Sequence, residues 1–210
     1  MKNVSYLTIM DSVTAELVEK QSKFLGHMSY VESKEDAEMF ISRIRMEYKD
    51  ATHNVPAYSI YCNGIMYCSD DGEPHGTAGK PILEILKREK IYDVCVVVTR
   101  YFGGVLLGTG GLVSAYSDTC KMLLDKASIA RRTLCATLNV VVDYSEFSKI
   151  EHFIEKFNAN VIEKNFYDKV SMTLLVKSEE EDVFRKLLME KTAAKINIKN
   201  MGNSWERIRI

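Results

Sequence analysis

Proline is scarce in this sequence, three residues in 210, and glycine numbers only eleven, which excludes collagen-like and low-complexity chains. No apolar run approaches the ~20 residues of a membrane-spanning helix. Runs such as Val94–Thr99 and Val105–Leu107 fall far short of it, and Asp11, Glu16 and Glu19 interrupt any signal-peptide core in the first twenty residues. A cytoplasmic protein with no membrane association is therefore expected. The five cysteines (Cys62, Cys68, Cys95, Cys120, Cys135) contain no C-x-x-C pair, which argues against a disulfide framework and against a cysteine zinc site. Apolar neighbours mark Cys95, Cys120 and Cys135 as small buried hydrophobes. Neither sign of charge dominates: 28 basic and 29 acidic residues leave a net of −1. Divided after Arg131, the chain carries 15 basic and 17 acidic residues before the cut and 13 and 12 after it. A nucleic-acid role must therefore rest on a local patch.

What is present is ordered patterning. Loose alternation over Tyr6–Leu7, Val13–Val18 and Phe24–Tyr30 reads as two or three strands. Ser33 is placed to cap a helix, with Asp36 in its first turn and Ala37, Phe40, Ile41 and Ile44 at helical spacing. Asn63-Gly64 between Ala57–Cys62 and Ile65–Cys68 is a hairpin signal, because both central residues need positive φ. A two-residue loop there sets Cys62 opposite Ile65 and Cys68 opposite Ser59. Pro81, Ile82, Ile85 and Leu86 mark a second helix. The β-branched run Val94–Thr99 predicts a strand buried on both faces. A loop over Arg100–Gly108 leads to a long helix over about Thr109–Ala127, whose Leu112, Tyr116, Cys120 and Leu123 share one face. From Thr133 the pattern restarts as β-α-β-β-α-β, the ferredoxin-like arrangement. Two domains follow, 1–131 and 132–210.

Two segments concentrate chemistry. Five of the eleven glycines lie in the nine residues Gly103–Gly111, between a buried strand and a helix. Glycine permits close backbone approach, and a helix start offers free N–H groups and a favourable dipole to an anion. The segment lacks the Lys of a Walker loop and the spacing of a dinucleotide fingerprint. A tight strand-to-helix connection accounts for the same glycines. The second segment, Ser69–Lys80, holds Asp70, Asp71, Glu73, His75 and Lys80. Its carboxylates suit a cation or acid–base work, or a solvated turn capped by its own aspartates, and it does not match a calcium loop. Arg100 can fork to a phosphate or pair with Asp70 or Asp71. His53 and Lys23 are placed to contribute near the same surface.

Ser69-Asp-Asp-Gly-Glu-Pro, Gly76-Thr-Ala-Gly-Lys-Pro81, Val96-Val-Val-Thr-Arg-Tyr-Phe-Gly-Gly104 and Leu107-Gly-Thr-Gly-Gly-Leu-Val113 together resemble the YigZ/IMPACT family, over about residues 15–128. The β-α-β-β-α-β tail is similar to that of the bacterial YigZ branch. The resemblance implies an α+β protein with an IMPACT-type N-terminal domain like domain four of elongation factor G, a four-stranded sheet with helices on one face. It implies a ferredoxin-like C-terminal domain like domain five of that factor. Eukaryotic members relieve translational inhibition by competing for a ribosome-associated activator of the amino-acid-starvation kinase, with an accessory domain this sequence lacks.

The function expected is a cytosolic, non-catalytic, regulatory binding protein of translation. Its partners are the ribosome, RNA or a translation-associated protein, and no cofactor or metal is expected. The candidate ligand- and anion-binding residues are Lys23, His53, Asp70, Asp71, Glu73, Lys80, Arg100, Tyr101, Gly103, Gly104, Gly108, Thr109, Gly110 and Gly111. Two alternatives stand beside it. One is a phosphotransferase or other nucleotide-binding enzyme using loop 103–111, with Mg²⁺ on Asp70 or Asp71. The other is a protein–protein adaptor using the ferredoxin-like domain.

Overall fold

A computed structural model describes residues 5–157 and 159–210. The chain divides into two compact units, Tyr6–Arg131 with Arg207–Ile210, and Ser5 with Arg132–Glu206. The last four residues thus belong with the N-terminal unit. There Arg207 donates to the carbonyls of Ile9 (3.0 Å) and Met10 (2.6 Å).

The N-terminal unit is built on an antiparallel sheet ordered β2(Val13–Glu19), β3(Ser22–Tyr30), β6(Val94–Tyr101), β4(His53–Ile60), β5(Ile65–Cys68). The unit also contains β1(Tyr6–Ile9), α1(Lys34–Glu47), α2(Gly79–Arg88) and α3(Gly108–Lys126). Helix α1 starts where Ser33 and Asp36 complete a reciprocal capping box. Relative to the expected four-stranded sheet with helices on one face, the sheet has one strand more and α1 lies on the opposite face from α2 and α3. The strand run 94–98 explains why both faces are covered. Val94, Val96 and Val98 pack into the core shared with α2 and α3, whereas Cys95 and Val97 pack with Phe40, Ile41 and Ile44 of α1. An alternating strand would leave one of these helices without an apolar floor. Gly26 lets α3 settle closely on β3, since a Cβ there would lie 2.8 Å from Leu123 and Thr119.

The Asn63-Gly64 hairpin forms, with a different register. Ile60 pairs with Ile65 and Ala57 with Cys68, so the loop holds four residues instead of two. Tyr61 is drawn out of the ladder because its N–H donates to Asp93 Oδ1 (2.9 Å) and its ring stacks on Tyr6. A slip of two residues keeps every side chain on its face.

The second unit contains β7(Ile129–Val142, from Arg132), α4(Tyr144–Phe157), β8(Asn160–Phe166), β9(Val170–Lys177), α5(Glu181–Lys191) and β10(Ile196–Arg209, to Glu206). Its strands lie in the order β10-β7-β9-β8, the ferredoxin-like order. Residues 136, 138, 140 and 142 of β7 and 170, 172, 174 and 176 of β9 alternate into one core against Ile150, Phe153, Ile154, Phe184 and Leu188. Among the described residues, no helix is long and apolar enough to cross a membrane.

Candidate functional site

Strand β6 runs two residues beyond the expected Thr99, because β3 and β4 flank it: Arg100 stands opposite Phe24 on one side and His53 on the other. Its guanidinium is thereby held inside the protein, 5% exposed, between the rings of Phe24 and Phe102. Glu73 reaches it from the loop before α2. Arg100 Nη1 donates to Glu73 Oε1 at 2.6 Å, and Tyr116 Oη of α3 donates to the same oxygen at 2.8 Å. Arg100 Nη2 reaches Ser22 Oγ at 3.5 Å, and that hydroxyl also accepts the N–H of Gly103 at 3.2 Å. Arg100 Nε is buried without a hydrogen-bond partner. Burial, with the Glu73 carboxylate beside it, pushes the Tyr116 phenol far above its ordinary value, so it stays a donor.

His53 borders this cluster. Its Nδ1 lies 2.7 Å from the Asp71 carbonyl, an acceptor only, so Nδ1 carries a proton. Its Nε2 faces Glu73 Oε1 at 3.8 Å, beyond hydrogen-bond range. Gly72 makes room for the ring: a Cβ there would sit 3.3 Å from His53 Cε1. Asp71 adopts φ 48° and divides its oxygens between Arg45 Nη2 (2.6 Å) and the Asn54 N–H (2.7 Å). Asp70 caps its own loop. Its oxygens accept the N–H groups of Gly76 (2.8 Å), Ala78 (3.1 Å) and Gly79 (2.9 Å). Burial pushes the Asp70 carboxyl up, but these three donors outweigh it and hold the group below its ordinary value.

Glu73 of the acidic segment therefore meets Arg100, three residues before the glycine run, and Ser22 joins the first of those glycines, Gly103, to the pair. The partner of Arg100 is Glu73; neither the phosphate contact nor the alternative pair with Asp70 or Asp71 forms, because loop N–H groups take up Asp70 and Arg45 with the Asn54 N–H takes up Asp71. Arg100 is accordingly no surface phosphate contact. Lys23 pairs with Glu16 (3.0 Å), and Tyr101 donates to Asp50 (3.0 Å). Lys80 has no ion pair among the described residues and lines a groove with Gly76, Val113 and Ser117.

The glycines divide by cause. At Gly103 a Cβ would lie 2.1 Å from the Gln21 backbone, so close packing accounts for it. Gly104 (φ 84°) and Gly108 (φ 75°) need a left-handed backbone. At Gly111 a Cβ would meet Leu107 Cβ at 3.0 Å. Gly110 has neither reason: its φ is ordinary for an L-residue and nothing lies within 4 Å of the added carbon. Gly108, Thr109 and Gly110 are exposed at the start of α3, which has no side-chain cap and no acidic residue in its first turn. Among the described residues, no hydrogen bond ties these three to the Arg100 cluster. An uncapped 19-residue helix presenting free N–H groups is chemically an anion cradle.

Sequence reasoning missed Ser22, Arg45, Asn54 and Tyr116 as members of the cluster. Tyr116 carried a usable signal: a tyrosine on the buried face of a helix must find a partner for its hydroxyl. The other three carried none, since their role comes from strand and helix neighbours distant in sequence.

Comparison with known proteins places this geometry. Residues 20–124 match the model of the Impact N-terminal domain, and residues 140–195 match a Domain of unknown function (DUF1949). IMPACT family member YvyE of Bacillus subtilis (strain 168) is 37% identical, across 93% of this chain and 90% of its own. IMPACT family member YigZ of Escherichia coli (strain K12) is 33% identical, across 70% of this chain and 74% of its own. A solved crystal structure of a hypothetical protein superposes with a TM-score of 0.62 at 28% identity, covering 94% of this chain and 98% of that one. Matched over nearly its full length by YvyE and over Phe24, Glu73, Arg100 and the α3 start by the Impact N-terminal model, the chain belongs to the IMPACT family.

Proposed function

We propose that this protein is a cytoplasmic, non-catalytic binding protein of translation that grips RNA phosphate, on the ribosome or free, through the exposed start of α3. The observation that carries this reading is the pair Thr109–Gly110: exposed, uncapped, with a glycine that neither φ nor internal packing requires. A glycine in a helix costs about 1 kcal/mol relative to alanine, and close approach of a ligand to the backbone offsets that cost. Lys80, exposed and without an ion pair among the described residues, adds positive charge on α2. The Arg100–Glu73–Tyr116–His53 cluster acts as a scaffold that fixes β6 and the following glycine loop. The role the resemblance gives to eukaryotic members supports translation as the setting.

The nucleotide-enzyme alternative is weaker on the same geometry. Each oxygen of Asp70 and Asp71 already accepts a hydrogen bond inside the protein. Holding Mg²⁺ there means dismantling the loop. The test is capture of the full-length protein from lysate with and without RNase, beside a thermal-shift panel with ATP and Mg²⁺. Ribosomal RNA lost on RNase treatment supports the proposal. A clear nucleotide shift with no RNA captured overturns it.

A further inference from the structure

His27 of β3 lies on the sheet face that α1 covers, opposite Val97, which packs with α1. The residue is 8% exposed, and its ring lies against Tyr48, the C-cap of α1, with centroids 4.9 Å apart. Its Nε2 is enclosed and has no hydrogen-bond partner. A neutral imidazole can leave that nitrogen unprotonated. An imidazolium carries N–H on both nitrogens and so places a charged donor where no acceptor stands.

The surroundings do little to offset that cost. Thr14 of β2 and Val97 of β6 stand opposite His27 in the ladders, and Leu25 and Ser29 flank it on β3; none of the four carries a charge. Glu16, two residues from Thr14, is held by Lys23 (3.0 Å). Burial pushes the Cys95 thiol, opposite Ser29, up, so it stays neutral. From α1 come Glu47, which favours a proton on His27, Arg43, which opposes it, and the Tyr48 phenol. Glu47 is solvent-exposed and forms no ion pair with His27 among the described residues. Burial is the largest effect and holds the His27 pKa below its ordinary value.

The end of α1 above this ring is a junction. The Tyr48 carbonyl accepts Asn54 Nδ2 (3.1 Å), and Arg45 Nη2 donates to Asp71 Oδ1 (2.6 Å). The Asp71 carbonyl in turn holds His53 Nδ1 (2.7 Å). Moving Tyr48 therefore disturbs the loop that carries Asp71.

We propose that His27 is a pH-sensitive latch on the carboxyl end of α1: proton uptake by the enclosed ring drives it from beneath Tyr48, frees the last turn of the helix and loosens the Asp71 loop. Linkage fixes the sign. With the folded pKa lowered, the stabilisation is present above the unfolded value of ~6.5 and is lost as pH falls toward the folded one. The experiment titrates the histidine rings of the full-length protein by ¹H–¹³C NMR between pH 7.5 and 5.0. At both ends of that range it measures amide hydrogen exchange, corrected for intrinsic rates, in wild type, His27→Phe and His27→Gln. The His27 ring should titrate at lower pH than the histidines of urea-unfolded protein. Protection at Arg45–Ala51 should fall about tenfold on acidification relative to α3, and not in either variant. Glu47→Gln, which removes the one charge that favours the proton, should deepen the fall. The titration is read on wild type, so the test stands if a variant does not fold. Overturning results are a His27 ring that titrates at or above the unfolded value, the same pH dependence at Arg45–Ala51 in wild type and variants, or a loss of protection shared equally by α3.

Discussion

Replacing Glu73 by alanine tests the scaffold role of the buried cluster. The Glu73 and Arg100 side chains are 3% and 6% exposed. Glu73→Ala leaves the Arg100 guanidinium charged, buried and stripped of its 2.6 Å partner, with Nε already unpaired, and orphans the Tyr116 hydroxyl as well. Removing one member of a buried ion pair costs about 3–5 kcal/mol. For a unit of this size that corresponds to a fall in melting temperature of roughly 10–20 °C. The triple change Glu73→Leu, Arg100→Met, Tyr116→Phe removes every polar group together and should recover more than half of the loss, because no charge is then left unpaired. Urea and thermal unfolding of the single and triple variants supply the comparison. A Glu73→Ala protein within about 1 kcal/mol of wild type would show that water already solvates Arg100 and would refute the burial reasoning.

Gly103→Ala should destabilise the protein by several kcal/mol on the scale of core overpacking, since its Cβ would lie 2.1 Å from Gln21 backbone; chemical denaturation measures it. Gly110→Ala should instead be neutral or stabilising, by up to about 1 kcal/mol, yet weaken RNA binding, which filter binding reads directly. Asp70 has a folded-state pKa below its ordinary value, so its stabilisation is present above the unfolded value and is lost as pH falls through the lower folded one. The deficit of Asp70→Asn relative to wild type should therefore be large near pH 6 and shrink in acid below about pH 3, as melts at both pH values would reveal. Burial pushes the Cys120 thiol up to about 12, whereas Cys62 is exposed. Thiol titration of native protein should accordingly modify Cys62 and leave Cys120 unreacted until unfolding.

Much of the fold was legible because local chemistry and tertiary packing agree. Ser33 and Asp36 signalled the α1 start, Val94–Thr99 a strand covered on both faces, and the tail from Thr133 its ferredoxin-like order. The hairpin register was not legible, because the side chain that displaces Tyr61 from the ladder, Asp93, is 32 residues away. The number of helices on each face was likewise hidden, since the apolar stripe of α1 does not say which side of the sheet it covers. At the site, sequence proximity misled. Asp70 and Asp71 were possible partners of Arg100, but loop N–H groups claim Asp70, and Arg45 with the Asn54 N–H claims Asp71, leaving Glu73 as the carboxylate that points inward. Lys23 and Tyr101 were neighbours in register, as expected of one surface, yet each found its own partner.

The α3 start is best interrogated with Thr109→Asp, read by RNA binding at two salt concentrations and by thermal melting. A carboxylate in the uncapped first turn complements the helix dipole and should stabilise the protein by about 0.3–1 kcal/mol. The same charge stands where a phosphate would sit. Affinity for single-stranded RNA should fall about tenfold, and the slope of log K against log salt should flatten by about 0.7, one phosphate contact. A variant that melts higher and binds RNA as tightly, with the same salt slope, would contradict an anion site at the start of α3.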